Sequence, residues 1–353
     1  MKSMTSLERC MAVLNQQIPD YIPVVPQCFM FAIETAGMKI KDVNKNGKKM
    51  AQAHIISQEK YQYDGCIIDF DDASIAEAIG AKVIFRDDEP AVVNEEDPLL
   101  KNLRDIYDLE VPDPLKSYRL CEWLEATRTL VDAIGDHVFI MGRADQGPFS
   151  IACLLRGTTQ FMMDLLTEEE QVLHDVIEFC RKASMAFAKS QKDAGAHVTS
   201  IGDALAGPNL ISPDTYRQFA FEPEKKLTSE VQKYGIPLSL HICGNTNEII
   251  EDMGKTGAKI IEIDWQLNLK HAREVLPEST VIMGNIDPSF PLVLGTVNDV
   301  DLAIKNSIEA TKGWGYFVSS GCALGRNTPP ENLQAMIHST RKYGSYNQLI
   351  KNH

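Results

Sequence analysis

The chain has 353 residues, 44% hydrophobic and 24% charged. That is the profile of a soluble globular protein, with length for one large α/β barrel or two ordinary domains. Its formal net charge of −14, with no Lys/Arg stripe carrying interleaved aromatics, argues against nucleic acid as the main partner. No apolar run approaches the roughly 18 residues of a membrane span, and Met1–Arg9 lacks a signal-peptide core, so a cytoplasmic protein without a membrane partner is expected.

Residues 1–18 read as a helical lead-in, with Leu7, Met11 and Leu14 at helical spacing. Pro19 and Asp20 end it, and a first strand is expected over Ile22–Gln27. A helix over 44–62 leads to a strand at Cys66–Phe70 and a short helix at Ile75–Ile79 closed by Gly80. Lys82–Phe85 reads as an extra strand, and the acidic, Pro-containing stretch 86–117 as an excursion over the surface. A regular alternation follows. Helices are expected over 118–134, from Gly147, over 168–194, from Ser212 to Tyr234, from Asn245, between 264 and 279, from Asn298 and from Pro329. Between them lie strands at Val138–Gly142, His197–Ile201, Pro237–Cys243, Lys259–Ile263, Thr280–Met283 and Tyr316–Ser319. About eight strands alternating with helices predict a single (β/α)8 TIM barrel over 1–353, carrying an N-terminal helical extension. No G-x-G-x-x-G follows the first strand, so a dinucleotide fold has no support.

In such a barrel the chemistry lies at the C-terminal strand ends. Alternation on a strand puts His241 and Cys243 on one face and Ile242 on the other. Imidazole and thiolate are ligands that zinc prefers, and Cys322, just past the Tyr316–Ser319 strand, is the candidate third ligand. Two thiolates and one imidazole would leave the fourth position of Zn²⁺ open, which suits activation of an incoming thiol. The competing reading is burial, since free cysteines are among the most buried residues. The eight cysteines of a long chain of this kind point to metal binding or burial, not to disulfides.

His241-Ile-Cys-Gly-Asn-Thr246, Met283-Gly-Asn-Ile-Asp-Pro-Ser289, Ser319-Ser-Gly-Cys-Ala-Leu324 and Thr328-Pro-Pro-Glu-Asn-Leu-Gln-Ala-Met336 resemble the cobalamin-dependent methyltransferases of the uroporphyrinogen decarboxylase superfamily. Gly147-Pro-Phe-Ser150 and Ser212–Phe219 are similar to the same family. The resemblance covers nearly the whole chain. It implies a barrel with His241, Cys243 and Cys322 on zinc, and a methyl group moved between a corrinoid protein and a thiol such as coenzyme M. The reverse direction, onto Co(I), and tetrahydrofolate as acceptor stay open. So does a decarboxylase. That branch carries an arginine-rich early segment for its acidic tetrapyrrole, whereas here no arginine occurs between Arg9 and Arg86. A non-catalytic barrel with buried cysteines is the third reading, and barrels of this size often pair, which leaves a homodimer open.

Other strand-end residues are candidates for the site. Asp203 would accept a proton, anchor a histidine or cap a helix. Glu262 and Asp264 share a strand face, and either would be a fourth ligand or would orient His241. Arg143 would hold an anionic acceptor or pair with Asp145 or Asp203. Asn285 and Asp287 are candidates for substrate contact, although Asn-x-Asp-Pro also favours a turn.

Overall fold

The computed structural model describes residues 3–349. Among these residues nine strands occur in chain order: β1 Gly65–Ile67, β2 Val83–Ile84, β3 Val92–Val93, β4 Phe139–Gln146, β5 Val198–Gly202, β6 Leu238–Ile242, β7 Ile260–Ile263, β8 Val281–Ile286 and β9 Tyr316–Ser320. Seven form one parallel sheet in the order β1-β4-β5-β6-β7-β8-β9, while β2 and β3 form a separate antiparallel hairpin. The segment before β1 closes the sheet. Val25 N donates to Val318 O on β9 (2.9 Å), Val318 N to Pro23 O (2.9 Å), and Asp64 N to Val24 O (2.7 Å). The strand expected over Ile22–Gln27 is therefore only a bridge at Val24–Val318. Pro23 and Pro26 have no N–H to give a longer ladder.

The strands of the parallel sheet are buried on both faces, as parallel strands between helices are. Their inward apolar residues, among them Phe139, Met141, Ile260, Met283 and Phe317, form one core with Cys10, Val13 and Leu14. The outward residues pack against the helices in a second, larger core. The lead-in helix thus plugs the bottom of the barrel. It spans Ser6–Leu14, where Thr5 and Glu8 form a reciprocal capping box. Each fully buried apolar side chain of this plug contributes about 1.5–3 kcal/mol.

Other differences have local causes. The helix expected over Ser212–Tyr234 is two, Pro213–Phe219 and Phe221–Tyr234, because Pro223 cannot donate to the Phe219 carbonyl. The helix expected from Asn245 starts at Ile250, and helices at Phe29–Thr35 and Thr158–Thr167 were not foreseen. β8 runs three residues beyond Met283, since Asn285 and Ile286 pair with Ser319 and Ser320. The 86–117 stretch follows the outside of the barrel, yet it inserts Leu100, Leu103 and Ile106 into the core. Among the described residues no helix is long and apolar enough to cross a membrane.

Candidate metal centre and active site

His241 projects inward from β6. Its Nδ1 lies 3.1 Å from the Glu262 carbonyl on β7. A carbonyl only accepts, so Nδ1 carries the proton and Nε2 faces the cysteines, 3.2 Å from Cys243 Sγ. Just past β6, Gly244 takes φ +83° and turns the chain, and its N–H donates to Asp264 Oδ2 (3.0 Å). A Cβ there would stand 2.1 Å from the Asn209 amide, so only glycine fits behind Cys243. Cys322 follows β9 through Gly321, whose N–H donates to Ile286 O (2.8 Å). A Cβ on Gly321 would meet Trp265 N at 2.4 Å.

These two turns bring one donor atom each from His241, Cys243 and Cys322 within 4.8 Å of one another. Among the described residues this is the one such group of metal-ligating side chains. The Cys322 thiol is held down to about 4 by hydrogen bonds from Cys243 and His241, with burial acting the other way. Cys243 is pushed up by that same contact and by burial. Burial opposes a charged His241, but its hydrogen bond to Cys322 and the field of Glu262 outweigh this and raise it. One sulfur anion between two proton-bearing groups is an arrangement in which a divalent cation replaces protons. The donor set, two soft sulfurs and an imidazole with its second nitrogen anchored on a carbonyl, fits Zn²⁺.

The carboxylates foreseen as ligands or bases do not join this group. Glu262 is the register partner of His241 on β7 and is fully buried, but its side chain turns away from the three donors. Its Oε1 accepts from Ser200 Oγ and from Ser239 Oγ (2.7 Å), and it is the Glu262 backbone that holds His241. Asp264 accepts from Gly244 N and Gln266 N (2.9 Å) and so fixes the turn behind Cys243. Asp203 accepts from Phe149 N (3.2 Å) and Ser150 N (2.7 Å) at the start of the helix Pro148–Arg156, which is the capping role. Asp287 accepts from Ser289 N (2.7 Å) and Phe290 N (3.3 Å) in a turn. Asn285 donates to the carbonyls of Asp264 (3.2 Å) and Leu267 (2.8 Å). A sequence gives the position of a carboxyl or amide but not which backbone N–H or C=O it turns towards.

Arg143 lies at the cavity floor, but its partners are not Asp145 or Asp203. Its Nε is 3.3 Å from Asp69 Oδ2 and its Nη1 is 3.9 Å from Glu262 Oε2, and Nη1 donates to Ser200 Oγ (3.1 Å). Asp145 has φ +57°, which turns its Oδ2 onto Ile75 N (2.6 Å). The cavity at the barrel mouth adjoins the three donors and is walled on the barrel side by Asp72, Arg143 and Gln146. Phe29, Met30 and Ile33 line it opposite. Asp72, Gln146 and the Phe29 helix were not foreseen as parts of the site. β1 ends at Ile67, so strand alternation says nothing about residues 68–72, although the run Asp69-Phe70-Asp71-Asp72 was a signal to follow.

Asp203 also adjoins a buried carboxyl, Glu224, whose Oε2 accepts from Tyr216 OH (2.7 Å). Burial, and then the charge of Asp203, push Glu224 well above the usual carboxylate range. Its folded value is thus above its unfolded value of about 4.3. The stability it contributes is present in full below that pH and is lost as pH rises to and through the folded value. Glu224→Gln keeps the acceptor and stays neutral. The variant is expected to match wild type at pH 4 and to melt at higher temperature than wild type at pH 8; equal melting at both would remove Glu224 as an alkaline weak point.

A family profile described as "Uroporphyrinogen decarboxylase (URO-D)" matches residues 5–343. The methylcobamide:CoM methyltransferase MtbA of Methanosarcina acetivorans is 30% identical, the alignment covering 97% of this chain and 99% of that protein. A uroporphyrinogen decarboxylase of Prochlorococcus marinus is 25% identical over 73% of this chain and 74% of its own length. Among solved structures, a methyltransferase from Methanosarcina mazei superposes with a TM-score of 0.88 at 25% identity, covering 97% of this chain and 99% of that one.

Proposed function

The chain belongs to the uroporphyrinogen decarboxylase family, and from that premise we propose that it is a methyltransferase that moves a methyl group from a corrinoid-bearing partner protein to a small thiol at a zinc site formed by His241, Cys243 and Cys322. The observation that carries this reading is the meeting of those three donors, from two separate strand ends, at the mouth of the barrel. Bound there, Zn²⁺ would lower the pKa of a thiol acceptor and hold it ready as a thiolate.

The chemistry balances without a further reactant. The acceptor sulfur forms a bond to the methyl carbon and the Co–C bond breaks. Its electron pair stays on cobalt, which goes from Co(III) to Co(I), and the thiol proton leaves to solvent. The protein's own part is placement. The Glu262 carbonyl fixes the His241 ring, Asp264 fixes the turn behind Cys243, and the Phe29–Ile33 wall keeps water from the reacting sulfur. A decarboxylase acting on an acidic tetrapyrrole is less well served, because Arg143, the cation of this cavity wall, is already paired with Asp69 and Glu262.

The test is metal content of protein purified without chelator, followed by incubation with methylcobalamin and small thiols. Wild type is expected to hold stoichiometric zinc and to release a methyl thioether. His241→Ala is expected to lose both while keeping its fold. Folded wild type without zinc would remove this function.

A further inference from the structure

The turn of the β2–β3 hairpin reaches the cavity at the barrel mouth, because Pro90 in that turn is one of the lining residues. We infer that this hairpin is a lid of the cavity, that Arg326, in the loop that carries Cys322, latches its tip, and that release of the latch admits small molecules to the three donors.

The base of the hairpin is fixed, whereas its tip is held only by surface contacts. At the base Ala81, Ala91 and Val93 are buried, and Asn94 N donates to Lys82 O (2.8 Å). Only two residue pairs follow, Val83 with Val93 and Ile84 with Val92, and neither strand joins the parallel sheet. A two-stranded ribbon of that length has little stability of its own. Phe85, whose ring centroid lies 3.6 Å from Lys45 Nζ, marks where the fixed part ends. Arg86, Asp87, Asp88 and Glu89 are all exposed, so apolar burial does not hold them down. Polar contacts do. Lys41 N donates to Asp87 O (3.1 Å) and Lys41 Nζ to Asp87 Oδ2 (2.7 Å). Arg326 Nη1 donates to Asp88 O (3.1 Å) and Nη2 to Asp88 Oδ2 (2.7 Å). Both anchors border the cavity. Lys41 follows the lining residue Ile40, and Arg326 lies three residues after Ala323, which lines the cavity beside Cys322. The acidic tip thus closes onto two cations that stand on separate segments. Exposed pairs of this kind are individually weak and are screened by salt, so the tip can lift while the buried base stays in place. A site that must keep water from a reacting sulfur, yet exchange its small molecules, is served by such a lid.

The test reads access to the cavity through its own sulfurs. Full-length protein is freed of metal by a chelator, its fold is checked by its melting curve, and it is treated with methyl methanethiosulfonate, a small neutral thiol reagent. Mass spectrometry follows the labelling of each cysteine. Arg326→Gln is expected to raise the rates at Cys243 and Cys322 roughly 2- to 5-fold, the range of an exposed ion pair. Asp88→Asn, on the lid itself, should act in the same direction. The double variant should be no faster than Arg326→Gln, since one latch is lost only once. Loss of a nearby cation would by itself make the Cys322 thiol less acidic and slower to react, so a gain in rate reads access. Cys153 and Cys180, buried in the core, should stay unlabelled. Unchanged rates in Arg326→Gln, additive gains in the double variant, or equal gains at Cys153 and Cys180 each overturn the lid. Labelling involves neither zinc nor methyl transfer, so that failure leaves the proposed function standing, and a folded wild type without zinc would remove the function and leave the lid.

Discussion

Cys322→Ser is expected to purify folded, to lose zinc, and to lose methyl transfer from methylcobalamin almost entirely. Loss of an outer-shell partner costs roughly 10- to 100-fold in metal affinity or activity, and loss of a thiolate that binds the ion directly should exceed that. The fold should survive for a structural reason. Cys322 is only partly buried and lies beyond the end of β9, whereas the two cores are built from strand and helix residues below it. The variant should therefore melt within a few degrees of chelator-treated wild type, unlike small zinc domains that unfold without metal. Zinc analysis, melting curves and thioether formation on the same preparations check all three statements. Full zinc in Cys322→Ser would show that the three donors are not the ligand set.

The sequence made this cluster legible through one rule, the alternation of side chains on a strand. Ile242 had to face the helices for His241 and Cys243 to face inward together, and a third sulfur had to lie at another strand end. The neighbouring carboxyls obey no such rule. Glu262 is level with His241 in the sheet, but its carboxylate is turned onto the Ser200 and Ser239 hydroxyls and not onto the donors. Asp264, Asp203 and Asp287 are each turned onto backbone N–H groups within loops, and those loop paths depend on tertiary contacts. The barrel itself was visible as an alternation of elements. Its closing segment was overread because the apolar run around Val24 and Val25 outweighed two prolines that cap the ladder at one bridge. Asp72 and the Phe29 wall were missed because they lie in segments with neither strand nor foreseen helical periodicity, although they set the character of the cavity.

The largest loss of stability is expected at the opposite end of the barrel, from Asp64→Ala. Asp64 is 1% exposed and joins three pieces of chain. It accepts from Arg9 Nη1 (2.6 Å) and Ser6 Oγ (2.8 Å) on the plug helix and from Val24 N (2.8 Å) on the closing segment. Arg9 is itself buried, with Asp20 on its Nε (2.7 Å) and the Tyr21 ring 3.6 Å from its guanidinium carbon. Removing the carboxylate leaves that charge with one partner fewer and strips the Val24 N–H of its acceptor. Breaking a buried pair in this way costs about 3–5 kcal/mol, enough to lower the melting temperature by several degrees. Replacing both members is a different matter, because no buried charge is then stranded. The double variant Arg9→Met with Asp64→Leu should lose clearly less than the sum of the two single substitutions, a coupling that a double-mutant cycle reads directly. Strict additivity would mean that Arg9 draws its support from Asp20 and Tyr21 alone, and that the plug is held by its apolar face and not by this pair.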